Sequence, residues 1–292
     1  MSRLNDGTLA DLANHVNISQ VLGGYFGEFQ VAQSFVDVGI KPLLGRLPSN
    51  VKMVDVGGGD GLLASMVRDC LTDNGHHVEA FVIDSNPDLV SECAKRGLRG
   101  LECDIRDDPL KNFDLIIMRA VLHYNSHADQ IEILKSLRET LAPSGKLVAQ
   151  ILTGSAINCK LKVDLISQKA LGGDIHRGYY NCHSFDELTK MLSSIGFASV
   201  NLLGSAPDLK WTLEQQWVRF NGDINEEPRG GSGPFAHIPK TTLFEHFRVG
   251  SLRIISDFIE KYGSEQVKVD FADSGNPIIR NDYQIFCCEN KS

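Results

Sequence analysis

The stretch VDVGGGDG, residues Val54–Gly61, decides the fold. An apolar run rich in valine, VKMVDVG (51–57), contains the first glycine, and LLASMVRDCL (62–71) follows with apolar residues at helical spacing. The order is therefore strand, glycine turn, helix. Glycine allows the positive φ angles of such a turn and lets a ligand approach the backbone closely. The stretch predicts a ligand site where a β-strand passes into a helix.

The residues around the glycines indicate the kind of ligand. A dinucleotide-binding loop has the spacing G-x-G-x-x-G, and its third glycine packs the helix on the strand. Leu62 occupies that third position here, which argues against NAD. A carboxylate at Asp60, beside the start of the helix, disfavours a pyrophosphate and suits an ammonium group. For Asp55 and Asp60, contact with that ammonium and a simple capping or loop-holding role remain alternatives.

Outward from this stretch, strands and helices alternate. Apolar runs predict strands over 77–84, 98–104, 113–119, 146–152, 198–204 and 283–289, and helical spacing predicts helices over 87–96, 128–141, 184–197 and 242–263. Pro143 and Gly145 are expected to end the helix over 128–141, and Ser184 and Gly196 to begin and end the helix over 184–197. The alternation predicts an α/β fold with a parallel sheet and crossover helices.

Three acids follow successive strands of this predicted sheet. Asp55, Asp84 and Asp104 lie at the carboxyl ends of the first, second and third strands. A carboxylate in the second position accepts hydrogen bonds from ribose hydroxyls, and Asp104 can accept one from the exocyclic amine of adenine. Because carboxyl ends of parallel strands share one edge, the pattern predicts an elongated nucleoside ligand there.

These motifs resemble those of class I S-adenosylmethionine-dependent methyltransferases. The glycine stretch is similar to their motif I, VIDSNP (82–87) to the acidic second motif, and ECDIRD (102–107) to the third. The region 113–148 is similar to small-molecule O-methyltransferases, with a V-L-H signature at Val121, Leu122 and His123. The resemblance covers about 51–205. It implies a Rossmann-like three-layer α/β/α sandwich with a mostly parallel seven-stranded sheet, plus an inserted helical cap.

The resemblance also implies a domain plan and an oligomeric state. Residues 1–50 would form a helical segment or lid, 51–205 with 281–292 the core, and 206–280 a cap that binds the acceptor. Only about 50 residues precede motif I, so the large dimerisation domain of plant-type relatives is not expected there. A monomer or a homodimer is predicted.

The resemblance assigns cofactor and acceptor contacts residue by residue. S-adenosylmethionine is the expected cofactor, and its contacts are Asp55, Gly57, Gly58, Gly59, Asp84, Ser85, Cys103, Asp104, Ile105, Arg119 and Ala120. The expected acceptor contacts are Tyr25, Phe26, His123, Tyr124, Tyr180 and Trp211. For the aromatic members of this second set, an ordinary place in the hydrophobic core is the alternative.

Three histidines are candidates for a catalytic base, because the pKa of histidine lies near neutrality. Counted back from Gly196, His176 falls where similar plant-type enzymes have their catalytic histidine, although the E-R-T of those enzymes is missing. His183 competes for this role. His123 follows the fourth strand, where a purely supporting position is equally open, and methyl transfer without any histidine base is a further alternative. No metal is expected, since Asp174, His176, Cys182 and His183 match no familiar ligand spacing.

Composition narrows the class of protein. The 292 residues are 42% hydrophobic with a net charge of −8, and the seven cysteines form no CxxC pair. Scattered basic residues disfavour nucleic acid as a partner, and no apolar run is long enough to span a membrane. The N-terminus lacks signal-peptide features, so a cytoplasmic location is expected.

The function predicted from these features is methylation of a small molecule by S-adenosylmethionine. A hydroxyl acceptor in specialised metabolite biosynthesis is favoured. Methylation of nitrogen or carbon is the first alternative, although the Asn/Asp-Pro-Pro-Tyr motif of nucleobase or amide N-methylation is missing after the fourth strand. The same fold acting as a cyclase, or as a non-catalytic cofactor-binding protein, is the second.

Overall fold

A computed structural model describes residues 29–107, 110–169, 181–207, 209–221, 224–225 and 238–290. These residues divide into two compact units. The core unit comprises 29–154, 181–207 and 282–290, and the second unit comprises 155–169, 209–221, 224–225 and 238–281. The sequence analysis placed 155–169 in the core and 206–280 in the cap.

Ten strands and eight α-helices occur in the described ranges. The strands are β1 (Asn50–Val56), β2 (His77–Asp84), β3 (Arg99–Glu102), β4 (Phe113–Arg119), β5 (Leu141–Gly154), β6 (His183–Ser184), β7 (Phe197–Ser205), β8 (Leu209–Thr212), β9 (Val269–Phe271) and β10 (Pro277–Asn290). The helices are α1 (Phe29–Phe35), α2 (Leu62–Asp73), α3 (Pro87–Glu92), α4 (His127–Thr140), α5 (Ala156–Lys169), α6 (Phe185–Ile195), α7 (Leu213–Asn221) and α8 (Lys240–Tyr262).

The main sheet of the core unit has seven strands in the order β3-β2-β1-β4-β5-β10-β7. β1 to β5 run parallel, whereas β10 is antiparallel to both β5 and β7. The short β6 adds a parallel pairing at the carboxyl end of β5. The predicted Rossmann-like sheet, mostly parallel and seven-stranded, is confirmed. Its topology brings the carboxyl ends of β1, β2, β4 and β5 to one edge.

Helices cover both faces of this sheet. On one face, Leu134 of α4 and Leu188 of α6 belong to a single buried apolar cluster with Ile116 and Ala149 of the sheet. On the other, Gly39 of the helical turn Val36–Ile40 lies so close to the sheet that a Cβ there would be 3.0 Å from Val148 Cγ1. Burial of apolar side chains on both faces is the main stabilising contribution to such a three-layer arrangement.

Several element boundaries agree with the sequence analysis. β2 and β4 have the predicted bounds, and α6 begins at a capping box in which Ser184 and Glu187 satisfy each other's backbone N–H groups. Gly196 ends α6 with a φ of 105°.

Other boundaries were wrong. α4 ends at Thr140, and Pro143 and Gly145 lie inside β5 rather than at the helix end. A Cβ at Gly145 would be 2.7 Å from the carbonyl oxygen of Phe113, so only glycine lets the two strands approach this closely. β10 begins at Pro277 instead of residue 283, and α5 was not predicted.

The second unit has its own core. Trp217 of α7, Phe247 of α8 and Leu161 of α5 are among the buried residues of one apolar cluster. β8 and β9 flank the first residues of β10 in an antiparallel arrangement. The role of this unit as an acceptor-binding cap stays a prediction. In the ranges that the structure describes, none of the helices is both long and apolar enough to span a membrane.

Candidate functional site

The glycine loop follows β1 with the backbone geometry that the sequence predicted. Gly57, Gly59 and Gly61 have φ angles of 67°, 57° and 80°, which disfavour residues with a Cβ. The N–H groups of Gly57 and Gly58 both donate to the carbonyl oxygen of Ile83, at 2.8 and 3.3 Å. A Cβ on Gly57 would overlap Cγ2 of Val121, just after β4. The loop is therefore fixed between the ends of β2 and β4.

Asp84 ties the glycine loop to the loop after β2. One carboxylate oxygen accepts the N–H of Gly59 at 2.9 Å and the other accepts the N–H of Asn86 at 2.9 Å. A carboxylate has about four lone-pair positions, so two remain for a ligand. Ser85, between these residues, is exposed. These two hydrogen bonds therefore fix the Asp84 carboxylate at the carboxyl end of β2, where it can accept further hydrogen bonds.

Asp55 is a buried acid whose side-chain oxygens could still accept hydrogen bonds. Its side chain is 1% exposed, and among the described residues neither carboxylate oxygen has a hydrogen-bond partner of normal geometry. Burial raises the pKa of Asp55 to about 7, an effect opposed by the nearby Arg119 and reinforced by the charge of Asp84. The N–H of Ala64 lowers this pKa slightly. A buried carboxylate without a partner is costly, and a cationic group beside it would remove that cost.

Asp60 is held by contacts within the protein. Its carboxylate forms an ion pair with Arg96 at 2.6 Å, and its other oxygen accepts the N–H of Leu62 at 3.2 Å. Arg96 also donates to the carbonyl oxygen of Asp60. This acid therefore satisfies the first N–H of α2 and holds the loop after β1, as the loop-holding alternative predicts, and its contact with an ammonium group stays a prediction.

The predicted adenine contact is also held by an arginine. Arg106 donates to both carboxylate oxygens of Asp104, at 2.9 and 2.5 Å, and to Asp129 at 2.6 Å. The hydrogen bonds from Arg106 keep the pKa of Asp104 below its ordinary value. The neighbouring Cys103 donates its N–H to the carbonyl oxygen of Asp84, and the Ile105 side chain is buried in the apolar cluster of the core.

The end of β4 combines backbone strain with buried polar groups. Ala120 has a φ of 60°, unusual for a residue with a side chain, and its N–H donates to the carbonyl oxygen of Gln150 at 2.9 Å. The Gln150 side chain is fully buried, and its amide has no hydrogen-bond partner in the part of the chain that the structure describes. Arg119 pairs with Gln150 across β4 and β5. Strain of this kind persists where surrounding structure enforces it, commonly at functional sites.

His123 lies two residues after the side chain that packs on the glycine loop. It belongs to the helical turn Leu122–Tyr124 and is 2% exposed. Its ring centroid is 4.2 Å from that of Tyr124 and 6.2 Å from that of Tyr283. The carbonyl oxygen of His123 accepts the N–H of Asn181 at 3.0 Å. His123 and Tyr124 therefore follow closely after Val121, the residue that lies against Gly57 of the glycine loop.

His183 is the second histidine of this region. It pairs with Thr153 at the carboxyl end of β5, and its Nε2 lies 2.6 Å from Oε1 of Gln130. Its ring centroid is 5.6 Å from that of His127. Burial, followed by the charge of His127, lowers the pKa of His183, and Glu187 opposes the shift. His183 is therefore neutral near pH 7 and able to accept a proton.

Other predicted residues fall elsewhere. Tyr25, Phe26, His176 and Tyr180 lie outside the described residues. Trp211 belongs to β8 of the second unit and is 9% exposed, so its place as an acceptor contact stays a prediction. Within the described part of the chain, no group of three histidine, cysteine or acidic side chains is arranged to hold a metal ion.

Four polar residues of the site had no signal in the sequence. Arg96 and Arg106 occupy Asp60 and Asp104, while Gln130 and Gln150 are fully buried. Arg96 lies in a predicted helix and Arg106 in a predicted loop, where arginine is common. Gln130 lies inside a predicted helix, where glutamine is equally ordinary. Only the three-dimensional contacts distinguish these side chains from ordinary polar residues of the surface.

Comparisons with known proteins agree with this geometry. The sequence profile of a methyltransferase-domain family matches residues 31–202, more than half of the chain. A highly reducing polyketide synthase, ALT1 of Alternaria alternata, is 27% identical over 178 residues, which are 56% of this chain and 7% of that protein. The chain thus corresponds to a small part of the synthase.

Solved structures share the fold. A candidate methyltransferase from Bacillus halodurans superimposes with a TM-score of 0.61 at 11% identity, covering 89% of this chain and 99% of that one. Phosphoethanolamine N-methyltransferase 2 of Haemonchus contortus, solved with S-adenosyl-L-methionine, gives a TM-score of 0.50 at 11% identity, covering 91% of this chain and 53% of that one. At these identities, the likeness concerns the fold alone.

Proposed function

The chain belongs to the methyltransferase-domain family, and on that premise we propose that it methylates a hydroxyl group of a small molecule with S-adenosylmethionine. Family membership confirms the predicted enzyme class and cofactor. The observation that carries the proposal is the contact between the turn of His123 and the glycine loop. Val121, which directly precedes this turn, packs on Gly57, so His123, one candidate proton acceptor, lies two residues from a contact with the cofactor loop.

The residues of the carboxyl edge match the parts of the cofactor. Asp84 has unused acceptor positions for the ribose hydroxyls. Asp55 supplies a buried carboxyl group that would ionise beside the ammonium of the methionine moiety, and Gly57 and Gly59 let the backbone come close to it. Asp104 offers an acceptor for the adenine amine, although Arg106 already occupies most of its capacity. Of these contacts, the one with Asp55 explains an otherwise unfavourable feature of the protein.

The chemistry requires alignment and removal of one proton. The acceptor oxygen attacks the methyl carbon, the carbon–sulfur bond breaks, and sulfur keeps the electron pair, which leaves S-adenosylhomocysteine. The hydroxyl proton passes to a histidine. Neutral imidazole suits this step because its pKa is close to the operating pH. His183 and His123 are the two candidates of the described region, and His176 remains a third by sequence.

A carbon acceptor is the second candidate, favoured by the match to a polyketide synthase. Such synthases are named for ketone-bearing chains, and a carbon next to a carbonyl group becomes nucleophilic once it loses a proton. The same histidine would remove that proton, and a carbon–carbon bond would form in place of a carbon–oxygen bond. The histidines of this site therefore serve both acceptors equally well.

The experiment uses S-adenosylmethionine with a carbon-13 methyl group. The purified chain is incubated with a simple phenol or with a β-ketothioester, and NMR identifies the atom that carries the labelled methyl. A methyl on oxygen supports the proposal, and a methyl on carbon supports the second candidate. Calorimetric binding of S-adenosylmethionine and S-adenosylhomocysteine is measured alongside, with NAD as the control ligand.

Two further outcomes of that experiment have definite meanings. Binding of the cofactor without transfer to either acceptor would contradict both candidates and favour a cyclase or a non-catalytic binding protein. A parallel incubation with a primary amine tests nitrogen, and transfer to the amine without transfer to the phenol would replace oxygen by nitrogen as the acceptor atom. A net charge of −8 supports a small acceptor over a nucleic acid, and biosynthesis of a specialised metabolite is the setting that we propose.

A further inference from the structure

Gln130 of α4 connects the segments of the core unit that carry His123 and His183. Its side chain is fully buried. The amide Nε2 lies 2.8 Å from the carbonyl oxygen of Leu122, 3.3 Å from that of Asn125 and 3.2 Å from that of Asn181. The amide Oε1 lies 2.6 Å from Nε2 of His183. One side chain thus ties the turn that carries His123 to the strand that carries His183.

The surroundings of this amide determine its orientation. Three carbonyl oxygens surround one end, and carbonyl oxygens only accept hydrogen bonds, so that end must be the NH₂ group. The oxygen of the amide is therefore directed at His183. Because this oxygen also only accepts, the Nε2 atom of His183 must carry a proton. The lone pair of the neutral ring is then on Nδ1, an atom that makes no hydrogen bond to the described residues.

The groups around His183 favour the neutral form of its ring. The ring of His127 on α4 is 5.6 Å away, and its charge disfavours a second positive charge, as does burial of the site. Glu187 on α6 acts in the opposite direction but is held by the backbone and side chain of Ser184. His183 pairs with Thr153 at the carboxyl end of β5, the edge at which the cofactor residues lie.

We propose that Gln130 is a positioning residue, which fixes the proton of His183 on Nε2 and leaves Nδ1 as the proton acceptor of methyl transfer. The inference rests on the proposed function. As the methyl group moves from sulfur to the acceptor, the acceptor proton moves to Nδ1. The resulting imidazolium keeps its Nε2–H hydrogen bond to Gln130, whose carbonyl dipole stabilises the new charge.

Two substitutions test this role. Gln130→Glu keeps the side-chain length and the acceptor for His183 but adds a negative charge, so the acid limb of the pH profile of kcat should move up by about one pH unit or more. Gln130→Met removes the acceptor and the donors, so kcat should fall by about 10- to 100-fold while the cofactor Kd stays unchanged. Glu132→Gln, exposed on the same helix, is the control and should alter neither quantity.

Nitrogen-15 NMR of labelled histidine supplies a readout that needs no turnover. In the unmodified chain near pH 7, the His183 resonances should show a proton on Nε2, and in Gln130→Glu its titration should move to higher pH. A proton on Nδ1, or a titration and pH profile of Gln130→Glu equal to those of the control, would overturn the inference. Lack of methyl transfer by the unmodified chain would instead contradict the proposed function, and the NMR result would still decide the role of Gln130.

Discussion

Replacement of Gly57 by alanine tests how tightly the cofactor loop and the histidine turn are built together. Gly57 has a φ of 67°, and an alanine in that conformation costs roughly 1–2 kcal/mol. The added methyl group would also lie well inside van der Waals contact of Val121 Cγ2. Overpacking of this kind costs typically about 1–3 kcal/mol. Gly57→Ala should therefore lower the free energy of unfolding by about 2–5 kcal/mol.

Two other glycines separate the terms of this estimate. Gly75 has a φ of 86° with open space at its Cβ position, so Gly75→Ala reports the backbone cost alone. Gly45 has open space and no such backbone conformation, so Gly45→Ala should be nearly neutral. Thermal unfolding measures all three variants, since each kcal/mol shifts Tm by about 2–4 °C in a chain of this size.

The contact with Val121 is tested directly by a double-mutant cycle. Val121→Ala removes the methyl group that the new Cβ would meet, so Gly57→Ala should cost less on that background, by about 1 kcal/mol or more. Calorimetry should show weaker cofactor binding by Gly57→Ala and unchanged binding by Gly75→Ala. A Tm of Gly57→Ala equal to that of Gly75→Ala, with strictly additive effects in the cycle, would refute the contact and the argument that rests on it.

Three further predictions concern single side chains. Because folded Asp55 keeps its proton up to about pH 7 whereas the unfolded chain loses it near 3.8, stability should fall as pH rises through this window, by up to about 1.4 kcal/mol per pH unit; Asp55→Asn should remove this slope in denaturant titrations at several pH values. Asp84→Ala should weaken cofactor binding by about 1–3 kcal/mol, since it loses charged hydrogen bonds, and an unchanged calorimetric Kd would exclude Asp84 from the site. Ser184→Ala should cost about 1 kcal/mol by breaking the capping box of α6, and an unaltered Tm would contradict it.

Much of the core could be predicted because its signals are local. The glycines after β1 and the apolar runs of β2 and β4 are readable within a few residues. Acids at strand ends could be grouped correctly because parallel strands bring their carboxyl ends to one edge. By contrast, the start of β5 at Leu141 depends on how closely its backbone approaches Phe113, which no local pattern records.

The arginines that bind these acids could not be predicted. They are close to the acids only in the folded chain, and nothing in the sequence distinguishes them from other arginines. Asp60 is 36 residues from Arg96 along the chain, and the arginine that holds Asp104 also reaches Asp129. From the sequence, the ammonium group of a ligand was one alternative for Asp60, and the adenine amine was the expected partner of Asp104. Gln130 shows this most clearly. Its proposed role depends on three carbonyl oxygens and a histidine that come together only in the folded chain.

The carboxyl edge of the sheet concentrates features that oppose stability. Asp55 buries a carboxyl group and Gln150 buries an amide, both without hydrogen-bond partners among the described residues, and Ala120 holds a positive φ. Each costs roughly 1–3 kcal/mol, and all three follow or lie in strands β1, β4 and β5, where the fold itself is most regular. Regular strands need no such groups for packing, so their cost is best explained by a ligand. A cation bound at Asp55 would offset part of it, and cofactor binding should therefore stabilise the core more than its contact area alone implies.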